Sequence, residues 1–190
     1  MNLQDYIISV SGHSACDGVG FGMNPPCQEM RPLESFGAFD SRVLYDQIYQ
    51  FFDGQENGKF HLIGEFMLEP LSQCIDTVVD YCHNFGEQES ADCQDQRIKD
   101  GFLWRSGWYP FAFDECDNRF LIMDFDPAPI GESGQIFLCD FRQPLGNWLA
   151  SDLPSLLDSY YEKLVASEFV EDEWYSGRFA ARVGENGCGG

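Results

Sequence analysis

Apolar positions recur along this chain at two different periods, and the changes of period mark its elements. After Pro70, the residues Leu71, Ile75, Val78, Val79, Cys82 and Phe85 fall at spacings of three and four, which puts them on one stripe of a helix closed by Asn84 and Gly86. Leu44, Ile48, Phe51 and Phe52 repeat the spacing, with Tyr45 and Tyr49 beside them. Asp40 or Ser41 suits the N-cap of that helix, and Asp53-Gly54 its stop. A third stripe, Leu153, Leu156, Leu157, Tyr160 and Leu164, follows a cap at Ser151 or Asp152, with Pro154 in the first turn.

Elsewhere the pattern is that of strands. Trp108–Phe113, Phe120–Phe125 and Gln135–Phe141 are β-rich runs bounded by Gly, Pro and Asp. In the second, Phe120, Ile122 and Asp124 share one face while Leu121, Met123 and Phe125 share the other. Both faces are largely apolar, so this run predicts a central strand covered on both sides. The Asp- and Asn-rich turn 114–118 joins it to Trp108–Phe113 as an antiparallel hairpin. The loop carrying Pro127, Pro129, Gly131 and Gly134 is too long for a two-residue hairpin. Lys59–Phe66 and Phe102–Trp104 are further strand candidates. Tyr6–Val10 fits a short strand or a helix end, Ser11–Pro26 is loop, and Glu87–Asp100 is a polar surface loop or a poorly formed helix. These elements predict a single α+β domain, with a mostly antiparallel twisted sheet of about five or six strands and helices packed mainly on one side. It divides into an irregular N-terminal extension (1–37), the folded domain (38–167), and an acidic, Gly-rich tail (168–190).

Composition narrows the function. The chain has 190 residues, 44% of them apolar, with 17 Phe and 4 Trp, which suits a folded domain with a substantial core. Eleven Lys and Arg against 32 Asp and Glu give a formal net charge of −21, a surface that repels nucleic acid and anionic lipid and favours basic partners. The same charge also serves solubility alone, so it leaves binding open. No basic patch interleaved with aromatics marks a nucleic-acid surface. No run approaches the roughly 20 apolar residues of a membrane span. The first residues lack a basic, then apolar, leader pattern, so a cytoplasmic location is expected.

The sharpest candidate for chemistry is Phe120–Asp126, where four apolar residues precede Asp-x-Asp. It resembles the nucleophile strand of haloacid-dehalogenase-type phosphatases, in which one carboxylate attacks phosphorus, the other handles the proton, and both help hold Mg²⁺. Against this, Pro127 and Ala128 stand where that family has Thr or Val, the motif comes late in the chain, and no convincing downstream Lys plus acidic pair follows, Lys163 standing alone on a helix. Asp124 and Asp126 also fit a metal-binding or glycosidase carboxylate pair, or simply a capped turn at Asp126-Pro127. The capped turn is favoured, and a metal-dependent hydrolase using Asp124 and Asp126 is kept as an alternative. Cys74, Cys82, His83 and Cys93 lie close in sequence, but the eight Cys form no Cys-x-x-Cys pair. Cys74, Cys82 and Cys139 sit among apolar residues like small hydrophobes, so neither metal nor cofactor is expected. His13, Cys16 and Asp17 read as loop residues and His61 as half-buried. Gly131–Gly134 lacks the Gly-Lys-Ser/Thr ending of a phosphate loop. Asp76 and Asp80 face out of their helix four residues apart, a like-charge spacing that weakens a helix by about 0.2–0.5 kcal/mol. Binding would compensate for it, and a solvated face needs no compensation.

Trp108 and Pro110 entering a strand, the Asp124-x-Asp126-Pro127 segment, the Gly131-x-x-Gly134-Gln135 loop and the following Leu149-Ala150-Ser151-Asp152 resemble the SUKH superfamily, with an upstream Asp-Gly-Gln turn ending at Gln55. That superfamily includes Smi/Knr-type regulators of cell-wall synthesis and bacterial toxin-immunity proteins. The resemblance covers roughly 40–165. It implies a SUKH-like fold, structural roles for those motif residues, and a non-catalytic protein-binding module that neutralises a basic, nuclease-like toxin. The alternative it implies is a regulatory scaffold. The candidate contact acids are Asp114, Glu115 and Asp117 in the hairpin turn and Glu171, Asp172 and Glu173 near the tail.

Overall fold

The computed structural model describes residues 1–12, 21–27, 42–56, 61–85, 93, 95–99, 103–114, 118–140, 146–166, 170–171 and 179–180, with backbone alone at 42, 170–171 and 179–180. Its centre is an antiparallel meander. β1 (Met67–Leu68), β2 (Trp108–Asp114), β3 (Arg119–Asp124), β4 (Gln135–Asp140) and β5 (Asn147–Ala150) lie side by side in chain order. A separate pair, β6 (Val170–Glu171) and β7 (Phe179–Ala180), is antiparallel as well. Among the described residues the helices are α1 (Leu3–Ser11), α2 (Arg42–Leu44, wound more widely through Tyr45–Tyr49), α3 (Leu71–Phe85) and α4 (Leu153–Val165). This is the α+β architecture expected.

The central strands separate two cores. Leu121 and Met123 of β3, with Tyr109, Phe111, Ile136 and Leu138, face the larger one, which all four helices close. Phe120 and Ile122 point the other way, to Trp104, Trp108, Phe137, Cys139 and Ile98. The alternation along 120–123 therefore sorts side chains as the sequence predicts, and the helices do gather mainly on one side. Every residue of β4 is buried. β2 contains Pro110 in its interior, where a missing N–H would break a ladder bond. The register shifts between Pro110 and Ala112, so a bulge absorbs the proline. Phe111, the extra residue, turns its carbonyl to Glu69 N at 2.9 Å.

α4 follows its pattern closely. Asp152 caps it, accepting from Ser155 N at 2.7 Å, and Leu153, Leu156, Leu157, Tyr160 and Leu164 are all buried. Each such side chain contributes about 1.5–3 kcal/mol of burial. α3 is rotated slightly from its predicted stripe: Cys74 goes into the core, and Val79 is 38% exposed.

Several expectations are corrected. Residues 3–11 form a helix, so Tyr6–Val10 is a helix end and not a strand, and an ordered element lies inside the extension expected to be irregular. Asn2 caps it, and Leu3, Tyr6 and Val10 join the larger core. Its apolar residues at 3, 6, 7 and 10 have helical spacing, which a short window from Tyr6 hides. Lys59–Phe66 is not a strand in its described part. Ile63 and Phe66 close a tight turn instead, and pairing begins at Met67. Trp104 is buried but not in a strand, and its ring packs on Tyr81, Trp108 and Phe120. Asn147–Ala150, to which the sequence pattern assigns no element, is the edge strand β5. Around Tyr45–Tyr49 the wider winding brings Tyr49 into the core and leaves Phe51 and Phe52 half-buried beyond it. His13, Cys16 and Asp17, the cap at Asp40 or Ser41, Lys59, Phe102 and Gly184–Gly190 lie outside the described residues.

Candidate functional site

Two buried glutamines organise the motif residues. Gln55 follows the sharp turn at Gly54, whose φ is +80°. Its Oε1 accepts from Leu62 N (3.2 Å) and Leu68 N (2.9 Å), while Nε2 donates to Phe21 O (2.8 Å). Beside it, Asp53 Oδ1 accepts from Leu71 N at 2.8 Å and so caps α3. The Asp-Gly-Gln turn thus ties α2, β1 and α3 together.

The second glutamine, Gln135, opens β4 opposite Asp124 at the end of β3. Its Nε2 donates to Asp124 Oδ2 and to Arg97 O, both at 2.9 Å, and its Oε1 accepts from Glu132 N at 3.3 Å. Asp124 Oδ1 accepts from Asp126 N at 2.9 Å. A β-carbon on Gly131 would stand 2.4 Å from Arg97 O, and Gly134 has φ +91°, so only glycine fits the first place and glycine suits the second. Asp126 receives Lys99 Nζ on one oxygen (2.9 Å) and Arg105 on the other (2.9 Å from Nε, 2.5 Å from Nη2).

The two carboxyls therefore differ sharply. Burial raises Asp124 to about 6, offset in part by the bonds from Gln135 and Asp126 N–H. Burial would also raise Asp126, but Lys99 and Arg105 overcome it and hold that carboxyl below the usual range. Both are bonded within the scaffold, Asp124 by the backbone N–H of Asp126 and the Gln135 amide, and Asp126 by the side chains of Lys99 and Arg105 rather than by backbone N–H groups. Among the described residues, no group of three or more His, Cys, Asp or Glu is placed to hold a metal ion. Cys74 is buried and its thiol pushed up to about 12, chiefly by that burial. His61 Nδ1 lies 2.6 Å from Glu65 O and serves a local turn.

The contact acids named from sequence separate. Asp114 is not on the surface: its side chain is fully buried, and Arg119 reaches it through Nε (3.2 Å) and Nη2 (2.6 Å). The same guanidinium pairs with Glu65. A strand end facing inward explains the difference, because Asp114 belongs to β2 and not to the turn. Glu171 sits in β6 by its backbone. Glu115, Asp117, Asp172 and Glu173 lie outside the described residues.

An open groove of about 340 Å³ runs between the outer face of α3 and the β2–β3 hairpin. Glu69, Asp76 and Asp80 supply its charge, and Tyr81, Phe113 and Phe120 its aromatic wall. Its volume is at the low end of the range of about 300–1,000 Å³ typical of ligand pockets. The like-charged pair Asp76 and Asp80 was legible in the sequence. Its aromatic wall was not, because it needs α3 packed against β2.

Fold and site together define an α+β domain on an antiparallel meander, knotted by two buried glutamines and carrying an acidic groove. The model of the SMI1 / KNR4 family (SUKH-1) matches residues 44–171, and the chain belongs to that family. No individual curated protein matches it significantly. No helix among the described residues is long and apolar enough to cross a membrane.

Proposed function

We propose that this chain is a non-catalytic protein-binding domain that neutralises a basic partner, an immunity-type protein acting on a nuclease-like toxin in the cytoplasm. The observation that carries the reading is the groove, where Glu69, Asp76 and Asp80 stand beside aromatic rings on a chain of net charge −21. Carboxylates beside aromatic faces suit lysine and arginine side chains, which pair with the first and stack on the second. A field of one sign also speeds the encounter with a basic surface. Membership of the SMI1 / KNR4 family supports a regulator or an immunity protein. The charge and the groove favour the immunity reading, and the bonding of Asp124 and Asp126 within the scaffold favours a non-catalytic role. The boundaries 38–167 for the domain and 168–190 for its tail belong to the same proposal.

The test is affinity capture from native lysate at low salt, eluted with a salt gradient. A stoichiometric basic protein released by salt, and inhibited when the complex re-forms, is the expected result. Retention of regulators and cell-wall enzymes indifferent to salt would overturn the immunity reading in favour of the scaffold. D76N/D80N should weaken binding about tenfold or more. It should leave the fold unchanged or slightly firmer, because it relieves a like-charge pair worth about 0.2–0.5 kcal/mol.

A further inference from the structure

Two arginines of this chain sit in the same surroundings, with an aromatic face on one side and a carboxylate on the other. Arg97 lies over the Trp148 ring at 3.8 Å and bonds Asp95 through Nε and Nη2. Arg119 lies over Phe66 at 5.5 Å and bonds Asp114 and Glu65 together. Lys163, by contrast, lies 5.7 Å over Tyr160 and has no ion pair among the described residues. The groove between α3 and the β2–β3 hairpin offers the arginine surroundings a third time. Asp76 and Asp80 flank its aromatic wall, and neither is ion-paired among the described residues. We propose that this groove is an arginine-reading site, in which a partner's guanidinium lies flat on Phe113 and bonds Asp76 and Asp80. The inference rests on the groove being where a basic partner docks, and adds which side chain it takes.

Phe113 is the ring with surface to give. Phe120 is only 5% exposed, and Tyr81 is already stacked on Phe85 and Trp104. Phe113 is half-buried and has one face on Phe120, with centroids 4.7 Å apart at 25°. Among the described residues no second ring is stacked on it. A planar guanidinium covers such a face, and being weakly hydrated it gives up little water to do so. An ammonium is compact and strongly hydrated, so it offers the acids charge but no plane for the ring. Asp76 and Asp80 stand one helical turn apart, about 6 Å along the axis. The five N–H groups of a guanidinium point out along more than one edge of its plane. One arginine can therefore serve both acids, as Arg119 serves Asp114 and Glu65.

The test titrates the full chain at low salt with two capped peptides of equal length and charge, one alternating Gly and Arg, the other Gly and Lys. Binding is followed by NMR at the α3 amides and the Phe113 ring. The arginine peptide should bind about threefold tighter or more, the worth of an exposed cation–π contact, and its δ-methylene protons should move upfield under the ring current. Phe113→Leu should abolish the difference between the peptides, and D76N/D80N should weaken both. Equal affinities, with both peptides in the groove, would overturn arginine reading and leave the groove a docking site for any basic side chain. Shifts that avoid α3 and Phe113 with both peptides would overturn this inference and the docking reading beneath it. The peptide comparison uses the unaltered chain, so a Phe113→Leu protein that failed to fold would leave the test intact.

Discussion

Arg119→Met tests whether Asp114 is a scaffold acid or a contact acid. The Asp114 carboxylate is 0% exposed and the Arg119 side chain 13%, with Nη2 to Oδ2 at 2.6 Å. Removing one partner of a buried pair costs about 3–5 kcal/mol, because the other charge stays in the low-dielectric interior. Some water reaches the guanidinium and Glu65 shares it, so the lower end applies, about 3 kcal/mol. Methionine keeps much of the stem volume beside Phe66, over which the guanidinium lies at 5.5 Å, so the loss is mainly electrostatic. For a chain of this length that is a fall in Tm of roughly 6–12 °C. Urea unfolding of R119M, D114N and the double variant closes a cycle. The double variant should cost less than the sum of the singles by at least about 1 kcal/mol. A cost for R119M below about 1 kcal/mol, the value of an exposed pair, or strict additivity in the cycle, would refute the argument.

Three further outcomes are expected. Gly54→Ala meets both a φ of +80° and a β-carbon 2.5 Å from Pro70 N, whereas Gly134→Ala has only its φ of +91° and open space. Urea midpoints should rank the first well above the second, about 3 against 1–2 kcal/mol. Leu157→Ala, at a fully buried position on α4, should cost about 3–5 kcal/mol, and exposed Glu162→Ala less than about 0.5 kcal/mol. For pH, Asp124 is raised from 3.8 to about 6 in the folded protein. Folding therefore takes up a proton between these values, and this group's contribution to stability rises as pH falls from about 6 to 4, by up to about 3 kcal/mol. Asp95 and Asp126 are lowered, so their stabilisation is lost only as pH falls further. The stability difference between wild type and D124N should grow as pH drops from 7 to 4, and a flat difference would refute the assignment.

What could be read from the sequence follows from where the information lies. α4 was legible because its cap, its Pro154 and its stripe agree within thirteen residues. β3 was legible because its alternation is unbroken and both its faces are covered. β5 was not, since four residues with a half-buried pattern give no period to detect, and their pairing with β4 is tertiary. Segment 95–99 looked like polar surface, yet it supplies Ile98 to a core and the Arg97 carbonyl to Gln135. A backbone acceptor leaves no trace in residue identity. Asp114 was misplaced for a related reason: its partner Arg119 is five residues away and across a turn, so only hairpin register shows that both point inward.

The distribution of cations bears on what the negative charge does. Arg97, Lys99, Arg105 and Arg119 are all directed to scaffold acids, namely Asp95, Asp126, Asp114 and Glu65. These pairs tie neighbouring segments together and cancel locally, and exposed acids remain on α1, α2 and α4 as well as on α3. On α3, Asp76 and Asp80 sit at the helical spacing that repels, with Glu69 and three aromatic rings around the same groove. An arrangement that weakens a helix slightly while concentrating charge beside apolar surface gains nothing in folding, and what it suits is a cationic side chain brought by a partner.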